Sequence, residues 1–312
     1  MSGGLDSQLA VRILESAGAE VEAVCFSSPF FDTSIAEATA AKLGVKLRMV
    51  DFTDDILGLI QGPVHGFGGA MNPCIDCHAA MIARAGRLME ELGYDFVATG
   101  EVQGQRPMSQ NKQALGVVAK TSGLAGRLVR PLSAKLLEPT VPELEGKLDR
   151  EKLYDISGRG RERQIELAAR FGIVDYPSPA GGCKLTEEGF SRKLRDLMDH
   201  EGLGERFLVE LLSTARRFRL PDGTGVVLGR DRGENLRLRE LAGRVEKMIA
   251  PVNVPGPTAL LPKVESDSDL KLAAELVAAY SKYDRLEGDI VLNTGAVGRP
   301  YDREKFKRYQ IC

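Results

Sequence analysis

Two groups of residues have types and spacings suited to chemistry. The first is Ser2-Gly3-Gly4-Leu5-Asp6-Ser7, which runs directly into a helical period over residues 8–17. Adjacent glycines reach backbone angles closed to other residues, so consecutive N–H groups can converge on one anion, and the helix behind them adds its unsatisfied amides and dipole. This is a phosphate cradle: Gly3, Gly4 and Leu5 offer backbone amides, Ser2 and Ser7 offer hydroxyls, and Asp6 can hold Mg²⁺ against phosphate oxygens. The competing reading is a surface turn capped by Asp6 or Ser7. No Gly-Lys-Ser/Thr ends the run, so it is not a Walker loop.

The second group is sulfur. Cys74 and Cys77 stand in Asn72-Pro73-Cys74-Ile75-Asp76-Cys77, and Cys183 closes the segment Tyr176-Pro177-Ser178-Pro179-Ala180-Gly181-Gly182-Cys183, where Pro and Gly forbid regular structure. Three thiolates on two loops suit a metal or cluster better than a fold staple. Three chemistries stay open. A [4Fe–4S] cluster on Cys74, Cys77 and Cys183 leaves one iron for an exogenous sulfur. Zinc needs a fourth ligand, for which His78 is nearest. A dithiol makes Cys77 or Cys183 a persulfide carrier that the other thiol resolves. Cys25, in an apolar strand, and the terminal Cys312 read as bystanders, and His65 and His200 lack partner spacing.

The elements that position these groups alternate short β-rich runs with helical periods, as a doubly wound parallel α/β domain requires. A helix over 9–16 leads to a strand over 21–26, a helix over 33–43, a strand over 46–50, a helix from about 81 to 92 and a strand over 96–99. Right-handed βαβ steps place loops at the strand C-terminal edge, where ligands bind. A phosphate loop normally follows a strand, yet only Met1 precedes Ser2, so the first strand of the sheet is expected to be missing and to leave an open slot in the core. Residues 144–171 read as two helical pieces around the turn Gly158-Arg159-Gly160-Arg161. The pattern changes near residue 190, giving domains 1–189 and 190–312. The second is a smaller α+β module: a helical stretch to 214, Arg217-Phe218-Arg219-Leu220, a Pro221-Asp222-Gly223 turn with a hairpin over 225–229, helices near 234–249 and 267–283, and strands over 258–262 and 289–292.

With 312 residues, 43% hydrophobic and 28% charged, the chain can bury a large core. It has no long apolar run and no basic-then-apolar leader, so the expectation is a cytoplasmic protein without a membrane partner. Five scattered cysteines fit a reducing compartment. From residue 190 onward there are 22 Lys and Arg against 19 Asp and Glu, a net of +3, which leaves −5 for the first part. Arg159, Arg161, Arg163, Arg216, Arg217 and Arg219 could meet nucleic-acid phosphates, and a solvated basic face is the plain alternative.

The six-residue loop matches the SGGxDS signature of the PP-loop ATP pyrophosphatases, which this segment resembles. Asn-Pro-Cys-x-x-Cys after such a loop resembles the tRNA thiolation branch, related to 4-thiouridine synthases and 2-thiouridylases. Further matching segments are Ala98-Thr99-Gly100-Glu101-Val102-Gln103-Gly104-Gln105-Arg106-Pro107-Met108-Ser109-Gln110 and Arg130-Pro131-Leu132, and the likeness spans about residues 1–185. Members with three cysteines at comparable places bind a [4Fe–4S] cluster. The segments Arg217 to Gly223 and Gly229-Arg230-Asp231 resemble the NFACT-R type domain proposed to bind RNA. The chain departs from the best known 4-thiouridine synthases in having no THUMP domain and no rhodanese extension.

The resemblance implies ATP-dependent exchange of a uracil carbonyl oxygen for sulfur, with 4-thiouridine the first expectation. Gly3, Gly4 and Ser7 would hold pyrophosphate and Asp6 would position Mg²⁺. Phe26 and Ser27 would border adenine, Gly100 and Glu101 would line the pocket, and Arg106 would meet the α-phosphate. The expected partners are tRNA and a sulfur donor, either free sulfide or a cysteine desulfurase persulfide. Two other classes share parts of this pattern: an amide-forming PP-loop ligase using ammonia, which has no need of the three cysteines, and a noncatalytic RNA-binding relative.

Overall fold

The computed structural model describes residues 1–106, 108–178, 182–282, 289–295, 297–298 and 302–311. Pro107, Pro179, Ala180, Gly181, Tyr283 and Cys312, all named in the sequence expectations, lie outside the described residues. The chain divides into two compact units, Met1–Thr186 and Glu187–Cys312.

In the N-terminal unit the order is α1 (Leu5–Ser16), β1 (Ala23–Ser27), α2 (Ser34–Leu43), β2 (Leu47–Asp51), α3 (Thr53–Gln61), α4 (Cys74–Leu92), β3 (Val97–Ala98), α5 (Lys112–Thr121), β4 (Leu128–Val129), the short α6 (Val141–Leu144) and α7 (Glu162–Arg170). Leu5, Leu9 and Ile13 recur at helical spacing and form a buried stripe on α1. That stripe packs with Leu167 and Ala168 of α7 and with Val102, Val129, Leu132 and Ile156. Truncating one such Leu or Ile to Ala costs about 2–5 kcal/mol, so the start of α1 is held firmly from behind.

The described strands of this unit form two separate parallel pairs, β1 with β2 and β3 with β4. Met1 donates its amino nitrogen to the Val24 carbonyl beside β1, and its side chain packs on Val11, Ala23 and Val45. Three expectations are corrected here. The helix read from about residue 81 begins at Cys74, because a proline just ahead of a helix costs nothing where the N–H would be unpaired anyway. Residues 144–171 give one full helix, α7, preceded by a 3₁₀ turn at Arg150–Lys152. Helix α3, whose buried Ile56, Leu57 and Ile60 follow helical spacing, was not anticipated.

In the C-terminal unit α8 (Glu188–His200) and α9 (Arg206–Leu211) precede β5 (Arg216–Arg219), β6 (Gly225–Leu228), α10 (Arg232–Glu240), β7 (Lys247–Ile249), β8 (Ala259–Leu261), α11 (Asp267–Tyr280), β9 (Ile290–Val291), β10 (Val297–Gly298), α12 (Glu304–Lys307) and β11 (Gln310–Ile311). Five strands form an antiparallel sheet in the order β11-β5-β6-β8-β7. Phe218, Val226, Leu228, Ile249 and Leu261 pack against Ala273, Leu276 and Val277 of α11 to make its core. The helix expected over 234–249 stops at Glu240, and Lys247–Ile249 becomes a strand because it pairs with β8. Among the described residues no helix is long and apolar enough to cross a membrane.

Candidate functional site

The glycine loop sits at an uncapped helix start. Gly4 is the N-cap of α1 and no side chain caps the helix, which leaves first-turn amides open to an anion. Gly3 has φ +78°, and a Cβ there would lie 2.7 Å from Ile35 Cγ2 and 2.9 Å from the Ile35 carbonyl, so only glycine fits. Gln8 braces the loop by donating from Nε2 to the carbonyls of Gly3 at 2.9 Å and Asp175 at 3.2 Å. Ser7 turns its hydroxyl back to the Gly4 carbonyl at 2.7 Å, while Ser2 Oγ faces the Gly4 amide at 3.5 Å.

Asp6, in the first turn of α1, accepts from Gln105 Nε2 on Oδ2 at 3.0 Å, and its Oδ1 is enclosed without a partner. Burial raises its carboxyl above the ordinary range, while the Gln105 hydrogen bond and the nearby Arg161 and Arg106 act in the opposite direction. Arg106 therefore stands where a phosphate-binding arginine would be useful. Arg161, assigned to a general basic face by sequence, stands beside the same carboxylate. An enclosed, unpaired carboxylate oxygen beside open amides and two arginines suits Mg²⁺ and a polyphosphate.

Gly100 and Glu101 tie this loop to the cysteine helix. A Cβ on Gly100 would lie 2.7 Å from the Asp6 carbonyl oxygen and 2.9 Å from the Ser7 nitrogen, so the backbone after β3 touches the loop directly. Glu101 is buried and does not face an open pocket as expected. Its Oε1 pairs with His78 Nδ1 at 3.0 Å, and its Oε2 accepts from Arg130 Nε at 2.9 Å and Thr99 Oγ1 at 3.1 Å. Burial opposes the Glu101 charge, but the His78 hydrogen bond and Arg130 outweigh it and hold the carboxyl at about 2. His78 is thus oriented by Glu101 through Nδ1, the kind of carboxylate contact that also fixes metal-binding histidines, and its Nε2 is not engaged by this pair.

Cys74 and Cys77 lie one turn apart at the start of α4, a rigid helix where a loop was expected. Asn72 donates from Nδ2 to Cys74 Sγ at 3.1 Å. Cys183 arrives through an antiparallel bridge to Phe31, and the neighbouring Leu185 carbonyl takes the Met71 N–H at 3.2 Å. Cys74, Cys77 and Cys183 are not joined in a disulfide. Burial pushes the Cys77 thiol well above its ordinary range, and Cys183, Cys74 and Asp76 add to that, so the three sulfurs share one electrostatic neighbourhood. Among the described residues, no three or more His, Cys, Asp or Glu side chains are placed so as to hold a metal ion. The donor set suits thiolate ligation chemically, and binding would require the three side chains to turn to a common centre.

Phe26 and Ser27 end β1, with Phe26 edge-on to Phe52 at 5.4 Å and Ser27 Oγ 3.4 Å from the Val50 carbonyl. The chain that follows them carries both Phe31, which meets Cys183, and Ile35, which meets Gly3.

Comparison with known proteins adds two partial likenesses. Residues 215–304 match the family model described as NFACT protein RNA binding domain. The tRNA-specific 2-thiouridylase MnmA of Sulfurimonas denitrificans is 33% identical over 113 residues, covering 32% of this chain and 32% of that protein. The enzyme of the same name from Tolumonas auensis is 31% identical over 117 residues, covering 32% of this chain and 31% of that protein. The chain spans about a third of the length of these curated relatives. The solved C-terminal part of the fibronectin/fibrinogen-binding protein from Streptococcus suis aligns at a TM-score of 0.26 and 16% identity, covering 83% of this chain and 97% of that one.

Within the RNA-binding-domain match, two expected phosphate contacts are corrected. Arg217 is only 1% exposed, and its Nε and Nη2 donate to Asp196 and Glu201 at 2.5 Å. Arg219 donates to the same two carboxylates at 2.7–2.9 Å. Both guanidiniums are committed to the interior. Arg216 and Arg303 instead lie over the Tyr280 ring at 5.1 and 5.2 Å, and Arg308 lies over Tyr309 at 4.6 Å. Arg159 is exposed, and Arg163 pairs with Asp155 at 2.7 Å.

Sequence reasoning missed several site residues. His65 was given no partner, yet its Nδ1 pairs with Asp76 Oδ1 at 2.6 Å and its amide donates to Asp76 Oδ2 at 2.9 Å. Asp76 lies between the two cysteines, so the pair latches the 65–72 segment to the start of α4. No local spacing announces it. Gln164 did leave a signal: with Leu167, Ala168 and Phe171 it completes the i, i+3, i+4, i+7 stripe of α7, a polar side chain at an apolar position.

Proposed function

We propose that this chain is an ATP-dependent tRNA sulfurtransferase of PP-loop type. The observation that carries the reading is the joint at Gly100–Glu101: one residue touches the glycine loop and the next holds His78, the neighbour of Cys77, so the loop and the cysteine helix are linked through adjacent residues of one unit. The partial likeness to two enzymes named tRNA-specific 2-thiouridylase supports the same reading, as does the RNA-binding-domain match. In this proposal the two parallel strand pairs are parts of a doubly wound sheet.

A uracil carbonyl oxygen is a poor leaving group. Its attack on the α-phosphorus of ATP expels pyrophosphate and leaves the oxygen bonded to AMP; a sulfur nucleophile then adds at that ring carbon and AMP departs with the oxygen. The protein's part is positioning and charge stabilisation. Backbone amides of Gly3, Gly4 and Leu5 receive phosphate oxygens, the Gly4 amide giving up its long contact to Ser2 Oγ, while Asp6 holds Mg²⁺ and Arg106 and Arg161 offset the charge. Cys74, Cys77 and Cys183 would hold a [4Fe–4S] cluster, whose fourth iron supplies a place for exogenous sulfur; without one, Cys77 and Cys183 would act as a persulfide pair. Arg216, Arg303 and Arg308 with their tyrosines take over from Arg217 and Arg219 as the RNA-facing cations. The relatives' names make 2-thiouridine the first product to assay, ahead of 4-thiouridine.

Nucleoside mass spectrometry of tRNA from a deletion strain tests the reading, with loss of one thiolated uridine as the expected result. An unchanged thionucleoside profile, together with no ATP–pyrophosphate exchange on unmodified tRNA, would leave it without support. Anaerobic purification separates cluster from dithiol: visible charge-transfer absorption that disappears in Cys183→Ala supports the cluster.

A further inference from the structure

Around Asp6 some polar groups are paired and others are left over. Gln164, on the face of α7 that packs against α1, is completely buried, and among the described residues neither its Oε1 nor its Nε2 makes a well-formed hydrogen bond. Its polar neighbour is the Asp6 carboxylate, which it meets only in a long, weak contact and whose Oδ1 is enclosed with no better partner. Folding around three poorly paired polar atoms is unfavourable unless something else satisfies them. A leucine would fill the same space beside Leu167 and Ala168 at no such cost.

A glutamine has both an acceptor and a donor, and no charge. Next to a carboxylate, that combination suits a ligand carrying both signs: a divalent cation bound to a polyphosphate. A second carboxylate would bind the cation but repel the phosphates. An apolar residue would bind neither.

We propose that Gln164 belongs to the glycine-loop site, its Oε1 joining Asp6 Oδ1 on a divalent cation and its Nε2 donating to a phosphate oxygen that the cation carries. This rests on reading the loop as a nucleotide site. It extends that site from the N-terminus of α1 to α7, and Arg161, the N-cap of α7, lies at the same wall.

The test uses the full chain with Gln164→Leu and Gln164→Glu, reading Mg²⁺·ATP affinity by calorimetry, Mn²⁺ affinity alone by electron paramagnetic resonance, and the melting temperature without ligand. Gln164→Leu is expected to weaken Mg²⁺·ATP binding by roughly tenfold or more while the ligand-free protein melts no lower than wild type. Gln164→Glu, which keeps an oxygen but loses the donor, is expected to retain Mn²⁺ and weaken ATP. A purely structural glutamine would behave oppositely, with a lower melting temperature in both variants and unaltered affinity in the folded fraction, and that result overturns the proposal. Should Gln164→Leu fold poorly, Gln164→Met gives the same readout. Wild-type protein that binds no Mg²⁺·ATP would sink the nucleotide reading and this proposal with it, whereas equal binding by wild type and Gln164→Leu would sink this proposal alone.

Discussion

In the C-terminal unit the carboxylates of Asp196 and Glu201 are matched oxygen by oxygen to Arg217 and Arg219, and only Nη1 of Arg217 lacks a partner. In the N-terminal unit Asp6 is well matched on one oxygen only, and Gln164 beside it makes no well-formed hydrogen bond among the described residues. Both clusters bury charge next to arginine. The difference lies in what is left over: a nearly complete network satisfies itself and serves architecture, while an incomplete one keeps its capacity for a ligand.

The harshest way to break this contrast is Arg217→Ala. It leaves two mostly buried carboxylates to share the single Arg219 guanidinium, so unfolding by denaturant should lose about 3 kcal/mol; a loss under about 1 kcal/mol would mean that the cluster is not structural. Glu101 offers a control inside the N-terminal unit, where a satisfied network should behave like the one around Arg217. Its folded value of about 2 lies below its ordinary 4.5, so its stabilisation is complete above 4.5 and drains away as pH falls toward 2. Stability measured from neutral to acid pH should show a slope worth roughly 3 kcal/mol that Glu101→Gln abolishes.

Gly100→Ala acts on the joint between loop and cysteine helix. Its Cβ would meet backbone atoms of Asp6 and Ser7, which cannot swing aside, so about 1–3 kcal/mol of stability and most Mg²⁺·ATP affinity should go together. Asp6→Asn should give the smallest change, with the opposite sign. Burial raises the Asp6 carboxyl, so its charge penalises the ligand-free fold increasingly as pH rises through and above the ordinary carboxylate range. The asparagine variant should be slightly more stable than wild type at neutral pH while losing Mg²⁺·ATP binding. A stability loss there would put Asp6 in the same class as Asp196.

Where backbone chemistry is local, it could be read from the chain: adjacent glycines announce a backbone that only glycine adopts, and Gly3 has positive φ. Long-range pairing was not legible. Lys247–Ile249 became a strand because β8 is there to receive it, against a helical pattern. Arg217 and Arg219 looked like a basic face because Asp196 and Glu201, some twenty residues earlier, give no spacing cue. The helix expected from about residue 81 starts at Cys74, directly after Pro73. The neighbours of Asp6 come from two separate stretches, and only folding brings Gln105 and the start of α7, with Arg161 and Gln164, to it.

The short stretch from Ser28 to Ile35 bridges to Cys183 at Phe31 and walls Gly3 at Ile35. Four residues separate the wall of the glycine loop from the bridge to the third cysteine. The loop and Cys183 therefore share one short support in the fold, although more than a hundred and seventy residues of chain lie between them.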